Sequence, residues 1–152
     1  MNLSCKVIAA LSGKTLATAE SCTGGGIGAA LTSVPGSSAV YKGGVISYTN
    51  QIKEEVLGVS REVLEQRGAV SEAVAEAMAT GVRKLLQSDI AVSVTGLAGP
   101  TGDEYGNAVG TVYIGYEDRY ISEVRKFLFN GNRDDVRNQS IAAALQLILD
   151  NQ

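Results

Sequence analysis

Ser21, Tyr48 and Lys53 are the residues of this chain whose types and settings can do chemistry together. Ser21 sits in Ala19-Glu20-Ser21-Cys22-Thr23-Gly24-Gly25-Gly26, a glycine turn between a β-tolerant run and a helix-like segment. A serine in such a turn lies where backbone N–H groups and the positive end of a helix converge, an arrangement that stabilises an alkoxide or oxyanion. The flanking residues do not form G-x-S-x-G, and taken alone Ser21 or Thr23 reads more simply as a helix cap. Cys22 is the rival nucleophile, because a thiol at a helix N-terminus can lose its proton readily.

Lys53 falls in the first turn of a helix that Asn50 is expected to cap. The helix dipole there disfavours a cation by roughly 0.3–1 kcal/mol. Together with a desolvated cleft it would bring a lysine toward the ~7–8 range of a general base. The alternative is that Lys53 points into water, with Glu54 and Glu55 offsetting its charge. Tyr48 either packs in the core or sets its hydroxyl between Ser21 and Lys53 as a proton relay.

Glycine loops that follow strands expose N–H groups to phosphates, and both Thr23 to Gly26 and Thr95 to Gly102 qualify. Neither matches Walker A or G-x-G-x-x-G. Arg133 and Arg137 stand four apart near the start of the last helix, on one face, and can grip a phosphate or carboxylate or pair with surface acids. The expected substrate contacts are thus Thr23, Gly24, Gly25, Asn50, Thr95, Gly96, Ala98 and Gly99, with Arg133 and Arg137.

Composition narrows the chemistry. The chain has 152 residues, 45% of them hydrophobic, and no histidine. The length suits one domain, residues 1–152, with a core that needs no staples. The missing histidine removes Ser-His and Cys-His pairs and the commonest transition-metal ligand, so a nucleophile must find another base. Cys5 and Cys22 fit no zinc or disulfide spacing, and adjacent acid pairs such as Asp103-Glu104 read as loop charges, so no metal is expected. A net charge of −3 with scattered Lys and Arg gives no nucleic-acid or lipid footprint. No apolar run approaches the ~18 residues of a membrane span and no cleavable leader is legible, so the expected location is the cytoplasm.

The elements that must position these residues follow from periodicity. Leu3 to Leu11 reads as a short helix, Thr15 to Ala19 as a strand, Ile27 to Leu31 as a helix, and Val40 to Tyr48 as a strand whose Gly43-Gly44 marks a bulge or close approach. Helices follow to Leu57, from Ser60 to Gln66, and from Ser71 with a face of Val74, Ala77, Met78, Val82, Leu85 and Leu86. Asp89 to Val94 is a strand, and Val109 to Tyr116 with Tyr120 to Phe129 an antiparallel hairpin. Asn132 then caps a helix along Val136, Ile141, Leu145 and Ile148. This order predicts an α/β fold, three layers in kind, with a mixed β-sheet flanked by helices.

Taken together, the motifs resemble the CinA family C-terminal domain, a group that includes nicotinamide mononucleotide deamidases. The resemblance runs over nearly the whole chain. It rests on Ala19 to Gly25, Val34-Pro35-Gly36-Ser37-Ser38, Gly43 to Asn50 with Lys53, Gly68-Ala69-Val70-Ser71, Thr95 to Pro100 and Val109 to Tyr113. It implies hydrolysis of nicotinamide mononucleotide to nicotinic acid mononucleotide and ammonia in pyridine-nucleotide recycling, without a cofactor. It also implies Ser21 as nucleophile, with Tyr48 and Lys53 assisting proton transfer. The partner is then a small molecule, and a homo-oligomer is expected from the resemblance and a hairpin with an open edge. A non-catalytic nucleotide sensor using the same glycine loops is the alternative. One departure stands out: where the family commonly has Lys-Pro before the Val-Gly-Thr-Val strand, this chain has Asn107-Ala108.

Overall fold

A computed structural model describes residues 1–152. The elements are α1 (Leu3–Ala10), β1 (Leu16–Glu20), α2 (Gly26–Thr32), β2 (Tyr41–Ile46), α3 (Asn50–Glu55), α4 (Arg61–Arg67), α5 (Glu72–Leu86), β3 (Ile90–Gly96), β4 (Thr111–Glu117), β5 (Ser122–Leu128) and α6 (Arg133–Asp150). The five strands form one mixed sheet in the order β2-β1-β3-β4-β5. β1 is parallel to both of its neighbours, whereas β3–β4 and β4–β5 are antiparallel.

Strand alternation sorts the core into two halves. Leu16 of β1, with Ile90, Val92 and Val94 of β3 and Val112, Ile114 and Tyr116 of β4, packs with α1, α2 and α6 residues on one face. Ala17, Ala19 and Ala91 face the other way and pack against Val74, Met78, Ala79 and Val82 of α5. Period-two side chains thus serve two helical layers, which makes both sheet faces buried in the manner of α/β proteins. Leu85, expected on the inner face of α5, is exposed, and Ala75 and Ala79 occupy the buried stripe instead. Leu86, one residue on, still packs partly buried against this half of the core beside Gly43 of β2, so only the Leu85 side of the last turn faces solvent.

The Gly43-Gly44 expectation holds. Leu16 pairs with Tyr41 and Ala17 with Gly43, so Lys42 is the extra residue of a β-bulge. The antiparallel hairpin also forms, with β4 starting two residues later and running one residue further than the apolar pattern suggests, and β5 shorter at both ends. Caps Ser60, Ser71 and Asn132 are as expected, and Asn132 with Asp135 completes a capping box. The cap of α3 is Thr49 rather than Asn50, its hydroxyl accepting from the Ile52 N–H at 3.4 Å. Both residues are good caps, and the extended backbone at Thr49 decides between them.

The topology fixes where a ligand can go. From the carboxyl end of β1 the chain returns through α2 to β2 on one side, while β3 lies on the other side. The crevice beyond the strand ends is therefore a switch point, the place where open α/β sheets bind ligands. Ser21 follows β1, the segment holding Tyr48 and Lys53 follows β2, and the Gly96-to-Pro100 loop follows β3.

Candidate active site

The turn carrying Ser21 is built around the side chain of Glu20. Glu20 ends β1 on the α2 face, and its buried carboxylate accepts from the Thr23 hydroxyl (2.7 Å) and from the N–H groups of Ile27 (2.9 Å) and Gly28 (3.0 Å). The carboxylate thus neutralises the positive end of α2 from inside the fold. Gly25, with φ +98°, occupies the left-handed region that lets the chain turn from strand to helix. Glu20 has thus taken the Ile27 and Gly28 amides at the start of α2, which leaves an oxyanion only the donors of the Ser21-to-Gly26 turn itself. Glu20→Gln should leave the turn with a mismatched donor and lower stability by roughly 2 kcal/mol, about 4–8 °C in Tm at this chain length. Thermal unfolding followed by circular dichroism checks this.

Neighbouring strands pin the same turn. The Ser21 N–H donates to Val94 O of β3 (3.0 Å), and the Ser47 N–H beyond β2 donates to Glu20 O (2.8 Å). The second bond fixes the Ser47 carbonyl, which meets the Lys53 ammonium at 2.6 Å. Lys53 reaches back from α3 and is 1% exposed. Its Nζ lies 3.0 Å from Ser21 Oγ and 3.4 Å from Tyr48 O. The solvated alternative is therefore excluded, and the helix-dipole argument for Lys53 is replaced: α3 has only six residues, and burial is what lowers the Lys53 pKa to about 8.

This geometry sets the protonation logic. A charged lysine has three donors, and three acceptors surround it: Ser47 O, Tyr48 O and Ser21 Oγ. The neutral amine keeps two donors for the carbonyls and turns its lone pair to the Ser21 hydroxyl. The two carbonyls thus orient the amine, and the third position is the reactive one. Cys22 is placed oppositely, because burial pushes its thiol up to about 11.

Ser21, Cys22, Tyr48 and Lys53 line one end of a cleft of about 390 Å³, with Arg133 and the Thr95-to-Thr101 segment around it. That volume lies within the range of small-molecule sites. Ala69 and Val70 line the wall. Arg133 spans the rim, donating to Gly99 O (2.7 Å) and to the Tyr48 hydroxyl (3.1 Å). The Tyr48 hydroxyl therefore sits with Arg133 rather than between Ser21 and Lys53, which touch directly. The N–H groups of Cys22, Ala98 and Gly99, all residues of the cleft, donate to no protein acceptor.

Of the expected substrate contacts, Thr95, Gly96, Ala98, Gly99 and Arg133 line this cleft, although the Thr95 hydroxyl is committed to Ala69 O (2.8 Å). Thr23, Gly24, Gly25, Asn50 and Arg137 do not. Thr23 is bonded to Glu20, Asn50 is exposed and lines two neighbouring basins, one of which shares Ala69, Val70 and Leu97 with the cleft, and Arg137 supports the turn through Cys22 O (3.0 Å) and Thr23 O (3.3 Å). Arg133 and Arg137 share a helix but serve different parts of the site, the cleft rim and the Ser21 turn. Glu20 and Ser47 build the site without standing out as candidates in the sequence. A lone acid just before a glycine turn was the available signal for Glu20, whereas a carbonyl ligand such as Ser47 leaves no mark in residue type.

The family described as the CinA C-terminal domain matches residues 2–151. A CinA-like protein of Endomicrobium trichonymphae is 49% identical over 135 residues, covering 89% of this chain and 32% of that protein. Another from Thermosynechococcus vestitus is 53% identical over 140 residues, covering 89% and 33%. The chain thus spans about a third of the length of these curated relatives. Among solved structures, the competence damage-inducible protein A of Klebsiella pneumoniae superposes with TM-score 0.95 at 37% identity, covering 97% of this chain and 93% of that one. A CinA superfamily protein of Escherichia coli gives 0.92 at 35%, covering 99% and 86%. No helix of the chain is long and apolar enough to cross a membrane.

Proposed function

The chain belongs to the CinA C-terminal domain family, and on that premise we propose that it is a serine amidohydrolase that deamidates nicotinamide mononucleotide to nicotinic acid mononucleotide and ammonia. The observation that carries the reading is the 3.0 Å contact between Ser21 Oγ and the buried Lys53 Nζ at the floor of the cleft. A buried lysine beside a serine, with its other hydrogens held by carbonyls, is a nucleophile and base in one unit. The substrate follows from the motif resemblance and is consistent with the lining: Ala69, Val70 and Leu97 offer an apolar wall to a planar ring, and Arg133 with the free amides of Ala98 and Gly99 suits a phosphate.

In the reaction, neutral Lys53 takes the Ser21 proton as Oγ attacks the carboxamide carbon. The Cys22 N–H, the amide adjoining the nucleophile and free of other acceptors, is the donor in place for the oxyanion. Lys53 then returns its proton to the departing nitrogen, which leaves as ammonia, and an acyl ester remains on Ser21. Water, deprotonated by Lys53, attacks that ester and releases the carboxylate with Ser21 restored. One water is consumed and no electrons are transferred, so no redox partner is required.

The test is ammonia release from nicotinamide mononucleotide, nicotinamide riboside and nicotinamide. Turnover of the mononucleotide with kcat/KM at least about tenfold above the riboside supports both the amidase and the phosphate-reading rim; a tenfold difference corresponds to about 1.4 kcal/mol of binding used in the transition state. Mononucleotide binding by calorimetry without ammonia would assign the cleft to a sensor instead.

A further inference from the structure

The segment Gly68-Ala69-Val70-Ser71 contributes a wall of the cleft yet contains no group that the proposed reaction uses. Its backbone is held from several directions. The Ala69 carbonyl accepts from Thr95 Oγ1 (2.8 Å), and the Gly68 carbonyl accepts from Ser71 Oγ (3.0 Å). The Val70 carbonyl accepts from Asn107 Nδ2 (3.1 Å). The same amide donates its second hydrogen to Asp103 Oδ2 (2.7 Å), while Asp103 Oδ1 accepts from the N–H groups of Tyr105 and Asn107, both at 3.1 Å. Two residues from Asn107, the Tyr105 hydroxyl donates to Glu65 O (2.8 Å) at the end of α4. Its ring lies over Gly68, where a Cβ would come within 2.6 Å of Tyr105 Cδ2; only glycine admits the ring, and the φ of +82° favours glycine as well.

This loop is the continuation of Leu97 to Thr101, which lines the cleft together with Ala69 and Val70. One piece of chain therefore forms part of the cleft and then fastens itself to a second segment of the lining. We propose that Asn107 and Tyr105 are positioning residues that act as a clasp: by tying Val70 and the end of α4 to the loop after β3, they set the width of the slot in which the substrate's planar ring lies. Neither side chain lines the cleft, so they act through Ala69 and Val70. Both hydrogens of the Asn107 amide are used, one on the Val70 carbonyl and one on Asp103 of its own loop. Opening the clasp widens the slot without touching Ser21, Lys53 or Cys22. Substrate binding should weaken while the chemical step keeps its rate once substrate is seated.

The inference rests on the amidase reading for its kinetic readout and is tested independently of it by amide exchange. Asn107→Leu removes both donors at similar volume, and Tyr105→Phe removes only the hydroxyl while keeping the ring on Gly68. Ammonia-release kinetics with nicotinamide mononucleotide should show KM raised about tenfold in Asn107→Leu and about threefold in Tyr105→Phe, with kcat within about twofold and the acid limb of the pH profile unmoved. Hydrogen exchange of the peptide covering residues 68–74 should quicken at least about fivefold in Asn107→Leu, with the peptide covering 19–28 unchanged. A fall in kcat at constant KM, the mark of a reduced folded fraction, would overturn the clasp. So would unaltered KM and exchange in both variants. If the wild type releases no ammonia, the amidase reading fails alone, and the exchange result still decides the clasp.

Discussion

Ser21→Ala is expected to lower kcat/KM for ammonia release from nicotinamide mononucleotide by at least about 10³-fold, equivalent to about 4 kcal/mol of transition-state stabilisation. Lys53→Met should cost a similar factor, and the double variant little more than either single change, because a nucleophile and its base act as one unit. Cys22→Ala should keep most of the activity: the thiol that burial holds near 11 has almost no thiolate at neutral pH. The three variants separate the candidate nucleophiles without relying on fold. Full activity in Ser21→Ala, or its loss in Cys22→Ala alone, would remove Ser21 from the role. A fluorophosphonate label followed by peptide mass should mark Ser21 in the wild type and be absent in Ser21→Ala.

The fold was legible where one local signal was strong. The apolar run before Glu20, the glycines after it and the breaker at Pro35-Gly36 were enough to place a strand, a turn and a helix, and the alternation after Gly110 was enough for a hairpin. Ser21 and Lys53 were legible as candidates because a histidine-free chain leaves few bases. Their contact was not legible, since it spans 32 positions and is created by the parallel pairing of β1 with β2. The same limit explains the misplaced substrate residues. Thr23 and Arg137 carry groups that suit a ligand, but tertiary neighbours had already claimed them: Glu20 for the hydroxyl, the Cys22 and Thr23 carbonyls for the guanidinium. Lys53 shows which of two legible causes acts. Helix position and a desolvated cleft both point to a lowered pKa, and burial is the one that produces it.

That cause has a consequence for pH that the dipole account would not give at the same size. With a pKa of about 8, Lys53 is neutral in about one molecule in ten at pH 7, against roughly four in ten thousand for a lysine at its ordinary value near 10.4. The kcat/KM for the mononucleotide should accordingly rise about tenfold per unit below pH 8 and level off above it, measured from pH 6.5 upward so that the phosphate's second ionisation near ~6 does not intrude. Stability must carry the same signature. Between about 8 and 10.5 the unfolded chain holds a proton on this lysine that the folded chain has released. Stability therefore rises with pH across that window and has no contribution to its slope from Lys53 below it. Relative to Lys53→Met, whose side chain has nothing to titrate, the wild type should gain on the order of 3 kcal/mol between pH 8 and 10.5. Paired urea titrations read the difference, because the tyrosines and remaining lysines titrate alike in both proteins and cancel. Parallel stability curves would show that Lys53 keeps its ordinary pKa in the fold, and an acid limb near 8 with no stability counterpart would place the titrating base elsewhere in the cleft. A limb and a stability gain that share one midpoint would assign both to the amine that contacts Ser21.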